Sequence, residues 1–216
     1  MRDSDIDAVV RILKKEVRKW KVPIVGQVAE RTRDPFQVLI SCILSLRTQD
    51  GTTAAASERL FRVAKTPDAL SRITARKIER LIYPVGFYRV KARNIREISR
   101  RLIESYDSKV PDEIDELLKL PGVGRKTANL VVIIGYNKYG ICVDTHVHRI
   151  TNRWGYVKTG SPEKTEFALR EKLPRKHWKI INDLLVTYGQ NLCRPIGPHC
   201  EDCRIYRYCD RVGLET

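Results

Sequence analysis

Apolar residues recur along most of the chain at the three- and four-residue spacing of amphipathic helices. The first such stripe predicts an opening helix and consists of Ile6, Val9, Val10, Leu13, Val17 and Trp20. Later stripes lie at residues 95–102, 114–118 and 178–188. The segment from Phe36 to Leu46 is apolar almost all round, which is typical of a helix buried inside a bundle. Period-two alternation is confined to brief pieces such as Ile141 to Val143. The pattern therefore predicts an all-α chain.

The polar breaks between these stripes are short. Ser161, Pro162 and Glu163 predict a helix start, with a hydroxyl at the N-cap, a proline at the first position and an acid near the positive helix end. No stretch is rich in Gly, Ser and Pro, and no long-range repeat is visible. If the chain forms two lobes, we expect ordinary short turns to join them.

The charge of the chain narrows the choice of partner. Its 216 residues include 41 Lys and Arg against 26 Asp and Glu, which is a formal net charge of +15. This balance favours a polyanion, most simply nucleic acid, although an unrelated basic enzyme has the same property. The basic residues are scattered along the chain, which indicates a folded basic surface rather than a disordered arm.

The apolar runs also bear on location. None approaches the roughly 20 residues needed to cross a bilayer. The opening segment MRDSDIDAVVRIL is charged from its second residue and lacks the apolar centre of a signal peptide. We therefore expect neither a secreted nor a membrane protein.

Four of the six cysteines lie in the last 24 residues with the spacing C-x6-C-x2-C-x5-C, namely Cys193, Cys200, Cys203 and Cys209. Four thiolates this close predict a tetrahedral metal site or an iron–sulfur cluster. Disulfides are the alternative, and they fit poorly with a chain that has no signal peptide. The ligand count does not choose between zinc and a 4Fe-4S cluster. Cys42 and Cys142 lie in apolar surroundings and are expected to be buried small hydrophobes.

The segment LPGVGRKTA, residues 120–128, joins two apolar helical stretches. Pro121 is expected to end the first helix, and the glycines allow a positive φ in the turn. The second helix would then expose free N–H groups to an anion, so the hairpin can grip a DNA phosphate without reading sequence. A plain tight turn explains the two glycines equally well. The spacing of a nucleotide-hydrolase phosphate loop is missing.

Two side chains near this turn are candidates for chemistry. Lys126 falls in the first turn of the second helix, where it is either a solvated lysine or a nucleophile whose neutral form is favoured by the helix end and Arg125. Asp144, in VDTHVHR, is either a helix N-cap or a catalytic carboxylate. His146 and His148 are two residues apart, so they would not share a helix face, and a two-histidine metal site is not expected.

Together these segments resemble the endonuclease III family of helix-hairpin-helix DNA glycosylases. The resemblance rests on LPGVGRKTA, VDTHVHR and the cysteine spacing, with DPFQVLISCILSLRTQD and PVGFYRVKA in support. It implies an all-α fold of two lobes with a DNA-binding cleft between them. The lobes are a six-helix barrel carrying the helix-hairpin-helix at residues 28–138, and an iron–sulfur cluster lobe formed by residues 1–27 and 139–216.

The resemblance also implies roles at matching positions. Lys126 matches the Schiff-base nucleophile and Asp144 the carboxylate that assists it, while the four C-terminal cysteines match the ligands of a 4Fe-4S cluster. DNA contacts are implied for Gly122, Val123, Gly124, Arg125, Arg47, Phe87 and His146. The implied partner is double-stranded DNA with damaged bases or abasic sites. A monomer is expected, in a cytoplasm of the prokaryotic type and associated with the nucleoid.

Departures from the family pattern refine the expected substrate. Adenine-removing members carry a glutamate where this chain has Cys42, and they and the thymine-mismatch members lack this lysine. Lys126 therefore favours a bifunctional enzyme that acts on oxidised or saturated pyrimidines such as thymine glycol. Arg47 stands where bacterial members often have a glutamine that fills the gap left by the flipped base. Phe87 matches an apolar wedge on the other side of that gap, with an ordinary core residue as the alternative.

Two other functions compete with this interpretation. A monofunctional glycosylase for mismatched or deaminated bases would release a base without strand cleavage, and Lys126 argues against it. A non-catalytic DNA-binding module would use the hairpin and the cluster only as scaffold. The presence of both Lys126 and Asp144 argues against that second alternative.

Overall fold

A computed structural model describes residues 1–20 and 34–214. Within that part of the chain the regular structure is helical and no strand occurs, so the all-α prediction is confirmed. The helices are α1 (Ile6–Glu16), α2 (Pro35–Ser45), α3 (Asp50–Val63), α4 (Pro67–Ser71), α5 (Ala75–Ile82), α6 (Tyr88–Ser105), α7 (Ile114–Leu118), α8 (Arg125–Leu130), α9 (Thr145–Arg153), α10 (Pro162–Lys172) and α11 (Ile181–Asn191). A π-helical turn, Val131–Gly135, continues α8.

The chain divides into two compact units. The central unit spans Ile24–Gly140, and the terminal unit combines Met1–Pro23 with Ile141–Thr216. The predicted boundary between residues 27 and 28 lies outside the described residues.

Helix α2 forms the middle of the central unit. Asp34 caps it, because its Oδ1 accepts hydrogen bonds from the N–H groups of Phe36 and Gln37 at 2.8 and 3.3 Å. Its buried residues are Phe36, Val38, Leu39, Ile40, Ser41, Cys42, Ile43 and Leu44. The helix packs against α3, α6, α8 and the π-helical turn, so it meets neighbours on several sides. The prediction of a helix buried nearly all round is confirmed.

The terminal unit has its own apolar core. Helix α1 buries the predicted stripe residues Ile6, Val9, Val10 and Leu13 and packs on α11, which in turn packs on α9. The brief β-branched piece Ile141–Val143 is buried without forming a strand and leads directly into α9. Ser161 caps α10 as predicted, since its Oγ accepts a hydrogen bond from the Lys164 N–H at 3.2 Å.

Two predicted stripes are longer than their helices. The opening stripe reaches Trp20, which has an extended backbone, whereas α1 ends at Glu16. Helix α11 begins at Ile181, so Trp178 lies ahead of it. The indole N–H of Trp178 donates to the Leu173 carbonyl at 2.8 Å, and two arginine side chains lie against its ring. This hydrogen bond places Trp178 in the connection after α10, where a helical apolar spacing continues by coincidence.

Candidate functional site

The hairpin of the central unit consists of α7, a tight turn and α8. Helix α7 ends at Leu118, three residues before Pro121, so the proline follows the helix end instead of setting it. Gly122 has a φ of +77°, and a Cβ there would stand 2.5 Å from the Asn94 Nδ2 atom, so this position requires glycine. Gly124 has a φ of −101° and caps α8 in an extended conformation that other residues also adopt. The predicted positive φ therefore holds for Gly122 alone.

Helix α6 holds this hairpin in place. The Arg101 guanidinium donates to the Lys119 carbonyl at 2.9 Å, and the Tyr106 hydroxyl donates to Glu116 at 3.0 Å. Val123 is buried, whereas Gly122 and Gly124 are exposed. The turn therefore presents backbone to solvent while its one large side chain anchors it.

Lys126 is the second residue of α8, as predicted, and it is exposed. The positive charge of Lys126 acts on the Cys42 thiol of α2, because it opposes the effect of burial, which raises the pKa of Cys42 to about 12. Cys42 is 2% exposed and Cys142 is fully buried, so both are the small core residues that the sequence predicts. The α2 side chain near Lys126 is thus a neutral thiol and not a carboxylate.

Asp144 belongs to the terminal unit and is the N-cap of α9. Its Oδ1 accepts hydrogen bonds from the N–H groups of His146 and Val147 at 2.9 and 3.0 Å. The N-cap interpretation of Asp144 is therefore confirmed, and it does not conflict with a catalytic one. A carboxylate that accepts two N–H groups at the start of a helix is held in place.

The two histidines that follow Asp144 face different neighbours. The His146 ring lies 3.2 Å from the Arg149 guanidinium, while the His148 ring lies 2.7 Å from the Thr165 hydroxyl. This separation agrees with the expectation that the two rings do not share a helix face.

Arg47 and Phe87 meet at the surface of the central unit. Both have a left-handed backbone, with φ values of +51° and +57°, which is uncommon for side chains of this size. The Phe87 ring is 62% exposed, so the alternative of an ordinary core residue is wrong. The Arg47 guanidinium lies 5.8 Å from the centre of the Phe87 ring, in reach of a cation–π interaction. An exposed aromatic ring beside an arginine suits contact with stacked bases.

The four C-terminal cysteines lie in the terminal unit beside buried cationic and phenolic groups. Three of them, Cys193, Cys203 and Cys209, pack against the apolar core of this unit. The Arg153 guanidinium reaches the Cys193 sulfur at 3.5 Å and also donates to the Arg194 and Pro195 carbonyls. The Tyr188 hydroxyl lies 3.0 Å from the Cys203 sulfur. The sequence did not predict that Arg153 and Tyr188 contact the cysteines.

This donor set fits an iron–sulfur cluster better than a single zinc ion. Zinc bonds of about 2.3 Å would bring the thiolates to within roughly 4 Å of one another. In the described part of the chain, three potential ligand atoms come within 4.8 Å of one another only at His199, Glu201 and Asp202. The cysteine sulfurs are therefore spread more widely than a zinc site requires. Burial raises the pKa of Cys209 to about 11.

The described residues include no helix long and apolar enough to span a membrane. That finding agrees with the hydropathy of the sequence.

Comparison with known proteins adds a family match. The family model of HhH-GPD superfamily base excision DNA repair proteins matches residues 40–175. Endonuclease III of Thermotoga maritima is 51% identical over 82% of this chain and 83% of its own length. The chloroplastic endonuclease III homolog 2 of Arabidopsis thaliana is 46% identical over 84% of this chain, which spans only 49% of that plant protein. A solved structure of a trapped endonuclease III–DNA covalent intermediate matches with a TM-score of 0.86 at 32% identity and covers 98% of this chain and 97% of its own.

Proposed function

We propose that this chain, which belongs to the endonuclease III group of the HhH-GPD base excision DNA repair superfamily, removes oxidised pyrimidines of the thymine glycol type through a Schiff base on Lys126. As a member of that group it is a DNA glycosylase and abasic-site lyase. The observation that carries this proposal is the placement of Lys126, an exposed amine in the first turn of α8 directly behind the hairpin turn. Its substrate is double-stranded DNA with damaged bases or abasic sites.

The chemistry needs one amine. A damaged base is flipped out of the duplex, which costs least where the base already stacks poorly. The neutral amine of Lys126 attacks the sugar C1′, the C1′–N bond to the base breaks, and the base leaves with the bonding electrons and takes up a proton. The amine loses its proton and the sugar ring opens to an imine. The imine acidifies the C2′ proton, so the 3′ phosphate leaves by β-elimination.

Asp144 supplies a fixed negative charge to this reaction. One carboxylate oxygen is held by the two N–H groups at the start of α9. A carboxylate held in this way stabilises the positive charge that develops on the sugar and helps to move protons. The N-cap contact supports the catalytic role because it positions the group before the substrate arrives.

The hairpin would contact the DNA backbone, and the Arg47–Phe87 pair would contact the bases. The exposed backbone of Gly122 and Gly124, with Arg125, would hold a phosphate without reading sequence. The aromatic ring of Phe87 and the guanidinium of Arg47 would enter the base stack next to the flipped nucleotide. We also assign a DNA contact to His146. We propose that the enzyme is cytoplasmic and associates with the nucleoid.

We assign a 4Fe-4S cluster to Cys193, Cys200, Cys203 and Cys209. The wide spread of the sulfurs and the hydrogen-bond donors beside Cys193 and Cys203 support this assignment. The cluster would act as a folding element that shapes the loop between Cys193 and Cys200. We propose residues 28–138 as the hairpin domain and residues 1–27 with 139–216 as the cluster domain, and the division after Gly140 supports the second boundary.

The test is borohydride trapping on labelled duplexes. The duplexes carry thymine glycol, uracil opposite guanine, or an abasic site, and Lys126→Gln is the control. A covalent protein–DNA band with thymine glycol that vanishes in the variant supports the nucleophile and the lesion class together. Base release without trapping would instead indicate a monofunctional glycosylase. No release and no trapping from protein that holds its cluster would leave only a DNA-binding role.

A further inference from the structure

Lys91 is a buried lysine that the reaction above does not use. It lies in the first turns of α6 and is 5% exposed, although its side chain is charged at neutral pH. Buried lysines are rare unless their ammonium groups are paired or hydrogen-bonded. A lysine in this position therefore calls for partners, and the structure supplies three.

The three partners lie in the last turn of α2 and in the segment that follows it. The Lys91 Nζ donates to the Leu44 carbonyl at 2.9 Å, to the Leu46 carbonyl at 2.5 Å and to the Thr48 hydroxyl at 3.2 Å. Leu44 lies in the last turn of α2 and Leu46 is its C-cap, so these carbonyls have no partner inside the helix. The ammonium group satisfies them and also meets the negative end of the helix.

The same contacts bring together two loops that are far apart in sequence. The Thr48 hydroxyl, which Lys91 contacts, also accepts a hydrogen bond from the Gly86 N–H at 3.1 Å. A Cβ on Gly86 would stand 2.6 Å from the Arg47 carbonyl oxygen, so the two backbones are in direct contact. Arg47 precedes Thr48 and Phe87 follows Gly86, so each loop carries one residue of the exposed pair.

The backbone at both residues needs such support. Left-handed φ values at Arg47 and Phe87 cost free energy, and they persist only where the surroundings hold them. The Phe87 ring is exposed, so few contacts of its own side chain can hold it. The hydrogen bonds that join Lys91, Thr48 and Gly86 involve the chain neighbours of both residues and can supply this support.

We propose that Lys91 is a positioning residue for base flipping, which ties the Arg47–Thr48 loop to the Gly86–Phe87 loop so that Arg47 and Phe87 enter the DNA as one preformed wedge. This inference rests on the proposed function, because it assigns the pair to the gap left by the flipped base. Preforming the wedge avoids the cost of ordering two loops during binding. Burial lowers the pKa of Lys91 to about 8, so the ammonium form holds its three acceptors at neutral pH.

The test compares a substrate whose base must be unstacked with one that has no base. Lys91→Met keeps most of the length of the side chain and removes its donors. We expect this variant to lower single-turnover base release from thymine glycol duplexes by about tenfold to a hundredfold, as for a misplaced reacting group. Cleavage of a preformed abasic site should fall by less than about threefold, because an abasic nucleotide has little stacking to lose.

A matched pair at Thr48 repeats the test without touching the lysine. Thr48→Val removes the hydroxyl that joins Lys91 to Gly86, whereas Thr48→Ser keeps it. We expect Thr48→Val to reproduce the selective loss and Thr48→Ser to behave like the wild type. Lys77→Met, which removes an exposed lysine on α5, controls for the loss of one positive charge.

A spectroscopic readout reports the wedge directly. A 2-aminopurine placed opposite an abasic site fluoresces more strongly when it is unstacked. With the wild type we expect a rise on binding, and with Lys91→Met and Thr48→Val we expect a smaller rise at saturating protein. The thermal midpoint and the visible absorbance of the cluster show whether each variant is folded.

Three results would overturn the proposal. They are equal losses on both substrates, no loss on either, and an unchanged fluorescence rise in folded variants. If Lys91→Met fails to fold, the Thr48 pair decides by the same criteria. Failure of the proposed function has another signature, since wild-type protein would then leave thymine glycol untouched while the fluorescence test on abasic DNA still applies.

Discussion

The central and terminal units each place one proposed catalytic side chain at the start of a helix, but they hold it in opposite ways. Lys126 is exposed on the six-residue helix α8, and the cationic group stands at the positive helix end. Asp144 caps the nine-residue helix α9 through two hydrogen bonds, and its anionic group is attracted by the same kind of end. The start of α8 thus exposes the amine proposed to attack the substrate, whereas the start of α9 fixes the carboxylate proposed to assist it.

The two units also differ in what stabilises them around these residues. Helix α2 of the central unit is surrounded by apolar side chains. The cysteine segment of the terminal unit combines the apolar packing of three cysteines with polar contacts, chiefly from Arg153 and Arg149, which donate to carbonyls of residues 193–195. Helix α2 therefore relies mainly on apolar burial, whereas the cysteine segment adds arginine–carbonyl hydrogen bonds to its apolar packing.

The largest effect is expected at Lys126. Lys126→Gln removes the proposed nucleophile, and we expect single-turnover base release to fall by at least about a thousandfold, because the variant lacks the amine that attacks the sugar. DNA binding, measured by fluorescence anisotropy, should change little. Lys77→Gln is the matched control for a lost lysine. A variant that retains trapping would show that another amine is the nucleophile.

The next largest effect is expected from loss of a cysteine in the terminal unit. We expect Cys203→Ala to lose the proposed cluster and to lower the local opening free energy of residues 193–209 by at least about 3 kcal/mol, because binding of a metal centre is coupled to folding of the segment that holds it. Hydrogen exchange followed by mass spectrometry checks this, with α2 expected to keep its protection. Cys142→Ala, a buried cysteine outside the cluster, is the control. Equal loss of protection in both units would show that α2 also depends on the cysteine segment.

Two substitutions at Asp144 distinguish its capping role from its proposed catalytic role. Asparagine is also a good N-cap, so Asp144→Asn should leave the thermal midpoint nearly unchanged and lower base release by about a hundredfold through loss of the charge. Asp144→Ala should in addition cost about 1 kcal/mol of stability. Single-turnover kinetics and thermal unfolding distinguish the two variants. Wild-type rates in Asp144→Asn would mean that the residue only caps its helix.

The smallest effect concerns the pH dependence of stability in the central unit. The folded pKa of Lys91 is about 8 and its unfolded value is 10.5. Between these values the unfolded chain binds the proton more tightly, so the free energy of unfolding gains up to about 1.4 kcal/mol per pH unit as pH rises. In Lys91→Met the free energy of unfolding should not show this rise with pH. Denaturant unfolding of both proteins from pH 7 to 10.5 measures the difference, and parallel curves would contradict the assignment.

Much of the fold was predictable because the responsible interactions are local. The apolar stripe of α1, the buried helix α2 and the cap at Ser161 each depend on residues within one or two turns of each other. Local spacing was misleading at three positions. Trp20 and Trp178 lie outside the helices whose stripes they continue, and Pro121 follows a helix that has already ended.

The candidate site was only partly predictable. Lys126, Asp144 and the four cysteines stand in short motifs whose residue types and spacing indicate chemistry on their own. The exposure of Phe87 could not be read from its sequence, because Val85-Gly86-Phe87-Tyr88 is equally compatible with core. Its left-handed backbone and its contact with Arg47 arise only when the two loops meet.

Local pattern in this chain establishes helices, caps and the reactive groups, because those depend on neighbours in sequence. The role of Lys91 depends on acceptors 43 to 47 residues away, and that of Arg153 on carbonyls 41 and 42 residues away. In the sequence both are ordinary basic residues among 41. Only packing buries them, and burial turns a charged side chain into one that must satisfy distant carbonyls, which is why the tertiary structure was needed to find them.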